Sequence, residues 1–372
     1  MIENEFKKQL FFIYFWAKIL RGVKMKKNSF CILKYMFIGL LVFLLFKIGV
    51  PRHYDTPPLQ KRASTQFMDL STGSRIAYTL LHAKGQTKKS TVIYLHGGPG
   101  GRINDRTIDV LSNLTNDGFD VFLYDQIGGG ESGRLNNISD YTVDRHIKDL
   151  EAIIKNLGTQ KVILFGQSWG AILAVFYTSE HRNDIEKLIF TSPAPISPYP
   201  KALENVQAPD SFHLKSPIFT NAEGNEKVKN IRVSTLKYTA IHWGIKLATD
   251  DEADDFSTFS SYEINKSCVF DTSKIEKMSD VKSIPSKNGY YAGLMTYQNL
   301  MEQQDPRPQL KDLNMPVLVL KGQYDNQKWG FTEEYLTIFK NHWLQVIPNA
   351  GHFIDLEQRD LYLKFIRKFL TE

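Results

Sequence analysis

Short apolar runs rich in β-branched residues alternate with helix-like segments from about residue 66 to the C-terminus. Such runs are typical of buried strands, and helices between them place parallel strands side by side with both faces covered. The predicted strands are 66–70, 75–82, 91–95, 120–124, 161–165, 187–191, 316–321 and 344–347. The predicted helices include 105–116, 142–157, 169–180, 332–340 and 355–370. The pattern therefore predicts an α/β fold with a mostly parallel eight-stranded sheet and helices on both faces.

This alternation breaks between residues 197 and 312, where the chain is charged and irregular apart from helix-like patches at 229–248 and 290–302. The stretch lies between two predicted strands of the sheet. Insertions at such positions usually land at the carboxyl edge, where open α/β sheets bind their ligands. We therefore expect a core in two parts, 66–196 and 313–372, with residues 197–312 forming a helical cap over the site.

A 22-residue apolar run at 29–50 contains two charged residues, Lys34 and Lys47. As a helix it would measure about 33 Å, enough to cross a hydrocarbon core of about 30 Å. The lysines lie near its ends, where long side chains reach the headgroups. Basic residues concentrate in 1–28, so the positive-inside rule predicts a single-pass anchor in the cell membrane, with a cytoplasmic N-terminus and an extracytoplasmic C-terminal part. Residues 51–65 are rich in proline and polar side chains and predict a linker.

Charge and cysteine content argue against two classes of partner, nucleic acids and metal ions. The chain of 372 residues is 42% hydrophobic and carries a net charge of +6, but residues 1–52 hold ten basic and two acidic side chains. The remainder is slightly acidic, which removes the support for a nucleic-acid partner. Cys31 and Cys268 lack the spacing of a zinc site, and we expect neither a metal nor another cofactor. A pair of lysines follows Met25, as in export signals, so translation from Met25 stays an alternative to Met1.

The segment 161–170 reads KVILFGQSWG, an apolar strand followed by G-x-S-x-G and a helical pattern. The turn in this motif is so tight that the residues beside the serine must be small, which explains Gly166 and Gly170. The turn exposes the hydroxyl of Ser168 at a helix N-terminus, where the helix dipole favours developing negative charge. The strand before and the helix after the motif predict that Ser168 is a nucleophile.

A serine hydroxyl needs a base that takes its proton. Where a nucleophilic serine lies in the sharp turn between a strand and a helix, the three catalytic residues follow along the chain in the order Ser, Asp, His. After the insertion, one predicted strand leads to Asp325 and the next leads to His352. We expect His352 to act as general base and then acid, while Asp325 holds its tautomer and stabilises the imidazolium. A turn carboxylate and a loop histidine are the alternatives.

The sequence HGGPG at His96 to Gly100 follows a predicted strand. Glycines let backbone N–H groups approach a substrate oxygen, and the loop at this position supplies one of two oxyanion donors, the residue after the nucleophile being the other. This predicts the Gly98 and Trp169 N–H groups as the oxyanion hole, with Gly97 as an alternative to Gly98. His96 lies on the same loop, and a structural role is expected for it. An ordinary Gly/Pro turn is the alternative for the whole loop.

Together, HGGPG at 96–100, DQIGGGES at 125–132, GQSWG at 166–170, GQYD at 322–325 and GH at 351–352 resemble the proline iminopeptidase branch of the α/β-hydrolase fold. The resemblance covers the predicted core rather than the cap. It implies an α/β-hydrolase fold and removal of an N-terminal residue, often proline, from peptides. It also implies an acyl-enzyme and no metal.

Two departures from this family bear on the substrate. Ile127 stands where the second motif usually has arginine, and the cap lacks the family's motifs for glutamates that bind the substrate's free amine. Glu263 and, after it, Glu204 are the remaining candidates for that role. A solvated charge on an irregular lid is the alternative for each, since glutamates are mostly exposed.

The sequence thus predicts a membrane-anchored serine hydrolase, an aminopeptidase acting on short peptides. The alternative is a carboxylesterase or lipase-like hydrolase of small or lipid-like esters, because ester hydrolysis needs an apolar pocket but no binder for an ammonium group. A non-catalytic binding module on the same fold is a third possibility, and it would predict damage to Ser168, Asp325 or His352.

Overall fold

The computed structural model describes residues 27–56, 61–85, 89–274 and 287–372. The predicted cytoplasmic segment, apart from its last two residues, and the alternative start at Met25 lie outside these ranges. The helices are α1 Lys27–Gly49, α2 Asp105–Ser112, α3 Val143–Leu157, α4 Trp169–Glu180, α5 Ala222–Val228, α6 Ile231–Trp243, α7 Asp250–Ile264, α8 Tyr290–Leu300, α9 Arg307–Leu310, α10 Trp329–Ile338, α11 Ile354–Glu357 and α12 Arg359–Thr371.

The strands form one eight-stranded sheet in the order β1-β2-β4-β3-β5-β6-β7-β8. Their bounds are β1 Gln66–Asp69, β2 Arg75–Leu81, β3 Thr91–Leu95, β4 Asp120–Asp125, β5 Val162–Gln167, β6 Ile185–Thr191, β7 Val317–Gly322 and β8 His342–Ile347. Every residue of β3, β4 and β7 is buried. Strands buried on both faces read as the continuous apolar runs that the sequence contains.

The sheet is mixed, which corrects the prediction of a mostly parallel sheet. Strand β1 pairs antiparallel with β2, and β2 pairs antiparallel with β4. The turn at residues 71–74 is too short for a crossover, so β1 and β2 form a hairpin. From β4 to β8 the neighbouring strands are parallel. The carboxyl ends of β3, β5, β7 and β8 therefore meet at one edge.

Two hydrophobic cores cover the two faces of the sheet. One contains inward side chains of α3, α4 and α10, and the other contains those of α2 and α12. Successive residues of β3 divide between them, since Ile93 belongs to the first core while Val92 and Tyr94 belong to the second. This alternation is the two-residue period of a strand. Each fully buried aliphatic or aromatic side chain contributes roughly 1.5–3 kcal/mol.

Helices α5 to α9 lie between β6 and β7, in the insertion that the sequence predicts as a cap. The start of α8 contacts the glycine-rich loops of the core. The Gly289 N–H donates to Gly100 O at 2.7 Å, and the Gly130 N–H donates to Lys287 O at 2.8 Å. The domain boundaries drawn from the sequence stay predictions.

The prediction of a transmembrane anchor at 29–50 is wrong. These residues fall largely in helix α1, and across the described ranges no helix has the combined length and apolarity that a membrane span requires. The physical reason lies in Lys34 and Lys47, which leave 12 uncharged residues between them. Such a stretch measures about 18 Å as a helix, against a hydrocarbon core of about 30 Å. The predicted membrane contact is therefore not supported.

The predicted linker at 51–65 makes polar contacts with both parts of the protein. The Arg52 N–H donates to Glu252 Oε1 of the cap at 2.9 Å. Arg62 is buried in the core, where its Nη2 lies 2.8 Å from Asp125 Oδ2 and its Nε lies 3.4 Å from Glu131 Oε1. A buried cation between two carboxylates neutralises charge that the interior would otherwise disfavour.

Replacing Arg62 tests this buried cluster. We expect Arg62→Met to lower the free energy of unfolding by about 3–5 kcal/mol, because it leaves two carboxylates in the interior without their cation. The matched control is Arg75→Met, whose partner Asp69 is exposed and 3.9 Å away, and it should change the value by less than about 0.5 kcal/mol. Denaturant unfolding of both variants makes the measurement, and equal losses would contradict the prediction.

Candidate active site

Ser168 occupies a strained turn between β5 and α4. Its φ is 54° and its ψ is −116°, a conformation that costs a non-glycine residue about 1–3 kcal/mol. The Ser168 N–H donates to Thr191 O at 3.0 Å, which ties the turn to the end of β6. The structure therefore forms the sharp strand-to-helix turn that the G-x-S-x-G motif predicts.

The two glycines of the motif allow this turn. A Cβ on Gly166 would lie 2.4 Å from Gly170 O, and a Cβ on Gly170 would lie 1.9 Å from Leu95 O. Both distances are far below van der Waals contact with backbone atoms that cannot move aside. Close backbone approach is thus what requires glycine on each side of Ser168.

Asp325 and His352 are hydrogen-bonded to each other. Their side chains are almost completely buried, and His352 Nδ1 lies 2.9 Å from Asp325 Oδ1. Burial alone would raise the pKa of Asp325, but the charges of Lys321 and His352 and the hydrogen bond from His352 hold it well below its ordinary value. An ionised carboxylate only accepts hydrogen bonds, so Nδ1 carries the proton. When the ring is neutral, Nε2 is therefore its unprotonated nitrogen.

The topology brings these three residues to one edge of the sheet. Ser168 follows β5, Asp325 follows β7 and His352 follows β8, and these strands run parallel. Within the described ranges no hydrogen bond joins the Ser168 hydroxyl to His352. In unliganded enzymes such bonds are often long and tighten when substrate binds. The catalytic roles of the three residues stay predictions.

A hydrogen-bonded cluster holds the HGGPG loop against the start of α4. His96 Nε2 accepts from the Gln126 N–H at 3.0 Å, and His96 Nδ1 lies 2.8 Å from Gly97 O. The Gln126 side chain donates to His96 O at 3.1 Å and accepts from Trp169 Nε1 at 2.8 Å. Burial lowers the pKa of His96, so the ring is neutral. These contacts agree with the structural role expected of His96.

Gly98 and its alternative Gly97, the candidates for the oxyanion donor on the HGGPG loop, differ in what surrounds them. The Gly97 N–H already donates to the Gln167 side chain at 3.1 Å, whereas the Gly98 N–H has no hydrogen-bond partner in the described part of the chain. Gly98 has a φ of 134°, which residues with side chains rarely adopt. Trp169 begins α4, and first-turn N–H groups of a helix have no partner within the helix. Gly98 is therefore a better candidate than Gly97.

The two predicted substrate-binding glutamates lie on different parts of the cap. Glu263, near the end of α7, is buried and its carboxylate is 3.0 Å from Lys227 Nζ. Glu204 is exposed and accepts a hydrogen bond from the Tyr199 hydroxyl at 3.3 Å. The charge of Glu263 is thus already matched by a lysine. Binding of an ammonium group by either residue stays a prediction.

Three residues that the sequence analysis did not single out support the site. Gln126 organises the HGGPG loop, and Lys321 Nζ lies 3.3 Å from Asp325 Oδ2. Glu357 accepts the Gly351 N–H at 2.7 Å and the Phe270 N–H at 2.9 Å. The second motif begins with Asp-Gln, which could have pointed to a role for Gln126. Lys321 could have been noticed as a lysine inside an otherwise apolar strand. A helical glutamate such as Glu357 carries no comparable signal.

The cap also contacts the loop that carries His352. The carbonyl of Cys268 accepts the His352 N–H at 2.8 Å. Burial raises the pKa of the Cys268 thiol to about 12, so it is neutral. Segment 268–271 and the His352 loop therefore share backbone hydrogen bonds, to which Glu357 adds its carboxylate.

Comparison with known proteins agrees with this geometry. The family model described as the alpha/beta hydrolase fold matches residues 90–358. That range is well over half of the sequence, and this chain belongs to the α/β-hydrolase family.

Individual relatives indicate which branch of the α/β-hydrolase family the chain resembles. The proline iminopeptidase of Saccharolobus solfataricus is 26% identical over 304 residues, covering 81% of this chain and 90% of that protein. The proline iminopeptidase of Heyndrickxia coagulans is 26% identical over 318 residues, covering 82% of this chain and 98% of that protein. An esterase structure from Exiguobacterium antarcticum matches with a TM-score of 0.56 at 18% identity, covering 82% of this chain and 99% of that chain, a likeness of fold alone. The resemblance to the proline iminopeptidase branch and the prediction of a hydrolase are confirmed.

Replacing Gln126 tests the cluster that holds the HGGPG loop. We expect Gln126→Met to lower the free energy of unfolding by about 2–4 kcal/mol, because it leaves the buried Trp169 Nε1–H and His96 O without partners. The control is Gln66→Met, which removes an exposed hydrogen bond to Tyr78 and should cost less than about 0.5 kcal/mol. Thermal and denaturant unfolding measure both. A loss no larger than that of the control would show that the cluster is dispensable.

Proposed function

We propose that this protein is a serine hydrolase that removes the N-terminal residue from short peptides through an acyl-enzyme. The hydrogen bond between Asp325 and His352, at the sheet edge where Ser168 is held in its strained turn, carries the proposal. The peptide substrate is supported by the two proline iminopeptidases whose matches span at least 90% of their length.

In the first half of the reaction, the Ser168 hydroxyl attacks the carbonyl carbon of the scissile bond. His352 Nε2 takes the hydroxyl proton as the bond forms, and Asp325 stabilises the imidazolium through Nδ1. His352 then gives this proton to the leaving amine. The acyl group remains on Ser168 as an ester.

The negative charge on the substrate oxygen needs donors that are in place before the reaction. We assign this role to the N–H groups of Gly98 and Trp169. The dipole of α4 points its positive end at the same position, and preorganised donors of this kind each contribute about 3–4 kcal/mol to catalysis.

In the second half, water replaces the leaving amine. His352 takes a proton from this water while the water attacks the acyl carbon, and returns the proton to Ser168 as the ester breaks. None of these steps requires a metal ligand or an organic cofactor.

A carboxylesterase is the second candidate, and a specific contact favours it. An aminopeptidase must bind the substrate's ammonium group, and the leading candidate for that task, Glu263, is already paired with Lys227. An ester substrate has no ammonium group, so the cap needs no residue that binds one.

Covalent labelling tests the nucleophile. A fluorophosphonate probe should label the wild-type protein and should not label Ser168→Ala, because the probe reacts with an activated serine hydroxyl. Asp325→Asn should label about 10³- to 10⁴-fold more slowly, since the amide favours the wrong imidazole tautomer. Folding is checked by circular dichroism. Equal labelling of wild type and Ser168→Ala would overturn the assignment, and no labelling of the folded wild type would indicate a binding module.

Parallel assays with an L-proline anilide and a short-chain nitrophenyl ester test the substrate class. We expect the anilide to be hydrolysed, and hydrolysis of the ester alone would identify a carboxylesterase.

A pair of glutamates that share one lysine gives a matched test of the amine binder. If Glu263 binds the substrate ammonium, Glu263→Gln should raise KM for the anilide by about tenfold or more, the value of a charged hydrogen bond, and leave ester hydrolysis unchanged. The control is Glu223→Gln, because Glu223 is exposed and lies 3.4 Å from the same Lys227. Equal effects of the two substitutions would exclude Glu263 from amine binding.

A further inference from the structure

Lys321 is a lysine inside a buried parallel strand. It belongs to β7, is 2% exposed and ranks among the largest fully buried side chains of the described residues. Its Nζ donates to Gln327 O at 2.9 Å and lies 3.3 Å from Asp325 Oδ2. A lysine is almost never this buried without a specific partner.

The two oxygens of Asp325 have different partners. Oδ1 accepts from His352 Nδ1 at 2.9 Å and from the Gln327 N–H at 3.1 Å. Oδ2 faces the Lys321 ammonium. The carboxylate therefore lies between a fixed positive charge and the imidazole that becomes positive during the reaction.

We propose that Lys321 is a positioning residue that lowers the proton affinity of the Asp325–His352 pair and so keeps His352 in its basic form at lower pH. The inference rests on the proposed function, because it requires His352 to be the base that activates Ser168. A chain without this ammonium would need a higher pH to reach the same reactivity.

The sign of this effect does not depend on where the pair holds its proton. Protonating the pair adds one positive charge, whether the proton resides on the imidazole or on the carboxylate. The Lys321 ammonium repels that charge in either case, and little water screens it in the interior. Removing Lys321 must therefore raise the pKa of the pair.

Among the described residues, the ion pairs of Asp325 join it to Lys321 and His352 and to no third cation. Arg106 of α2 pairs with Asp355 in α11, the helix that follows the His352 loop. Cys268 contributes a neutral thiol, and Glu357 lies at the Gly351 N–H, where its negative charge acts in the opposite direction. On α10, Glu333 contacts Trp329 and Glu334 pairs with Arg307. On α12, the Tyr362 hydroxyl bonds with Thr191 of β6, and burial raises its pKa, so it is neutral.

The test measures how fast the fluorophosphonate probe labels Ser168 as a function of pH. This rate needs no knowledge of the substrate, and its acidic limb reports the base in the free enzyme. Lys321→Met keeps the side-chain length and Lys321→Gln keeps a hydrogen-bond donor, while both remove the charge. We expect both to move the midpoint of the acidic limb up by about one pH unit, which makes labelling about tenfold slower below the limb.

A structural role for Lys321 predicts a different result. If the substitutions only displaced Asp325, His352 would lose its carboxylate, the midpoint would fall and the plateau rate at high pH would drop. We expect instead a plateau within about threefold of the wild type, since the geometry of the pair is kept.

The control is Lys187→Met. Lys187 lies on the neighbouring strand β6, but near its start, and its ammonium donates to Phe369 O at 2.9 Å. This variant should leave the midpoint unchanged.

Two results would overturn the inference. One is a midpoint that stays in place or falls in both Lys321 variants while Ser168→Ala still abolishes labelling, which leaves the proposed function intact. The other is failure of both variants to fold by circular dichroism, which would make the charge a structural requirement. Labelling that persists in Ser168→Ala would instead refute the proposed function itself.

Discussion

The hydrogen bond between His352 and Asp325 is the contact on which the proposed chemistry depends. It is formed by almost completely buried side chains on the loops that follow two adjacent parallel strands, so the sheet brings the two loops to the same edge. A carboxylate placed there without compensation would tend to protonate. Lys321, the Gln327 N–H and His352 together keep it ionised, and an ionised carboxylate requires that His352 Nδ1 carries the proton of their hydrogen bond.

A second constraint is close backbone approach. The strained turn at Ser168 exists because Gly166 and Gly170 admit neighbouring carbonyls where a Cβ would stand. Gln126 then joins the HGGPG loop to the indole of Trp169 through its own side chain. Ser168 and the two proposed oxyanion donors are thus held together where strand ends meet the start of α4, an arrangement that suits preorganised catalysis.

Much of the fold and of the candidate site could be predicted from the sequence, and the same physical reasons explain which parts were missed. Buried strands and the G-x-S-x-G turn have local signatures, so β3 to β8 and Ser168 were predicted close to where they lie. Helix α7 was missed because its charged residues were read as irregular, although Thr249 caps it by accepting from the Glu252 N–H. The contacts of Lys321 and Glu357 depend on the distant segments that face them, which spacing does not reveal.

The contacts between the cap and the His352 loop have a mechanical consequence. The carbonyl of Cys268 accepts hydrogen bonds from the N–H groups of both His352 and Phe353. The carboxylate of Glu357 accepts one N–H from the cap, that of Phe270, and one from the His352 loop, that of Gly351. Any movement of residues 268–271 away from the core must break these hydrogen bonds, which hold the backbone of His352 in place. A movement of this part of the cap would therefore also displace the loop that carries His352.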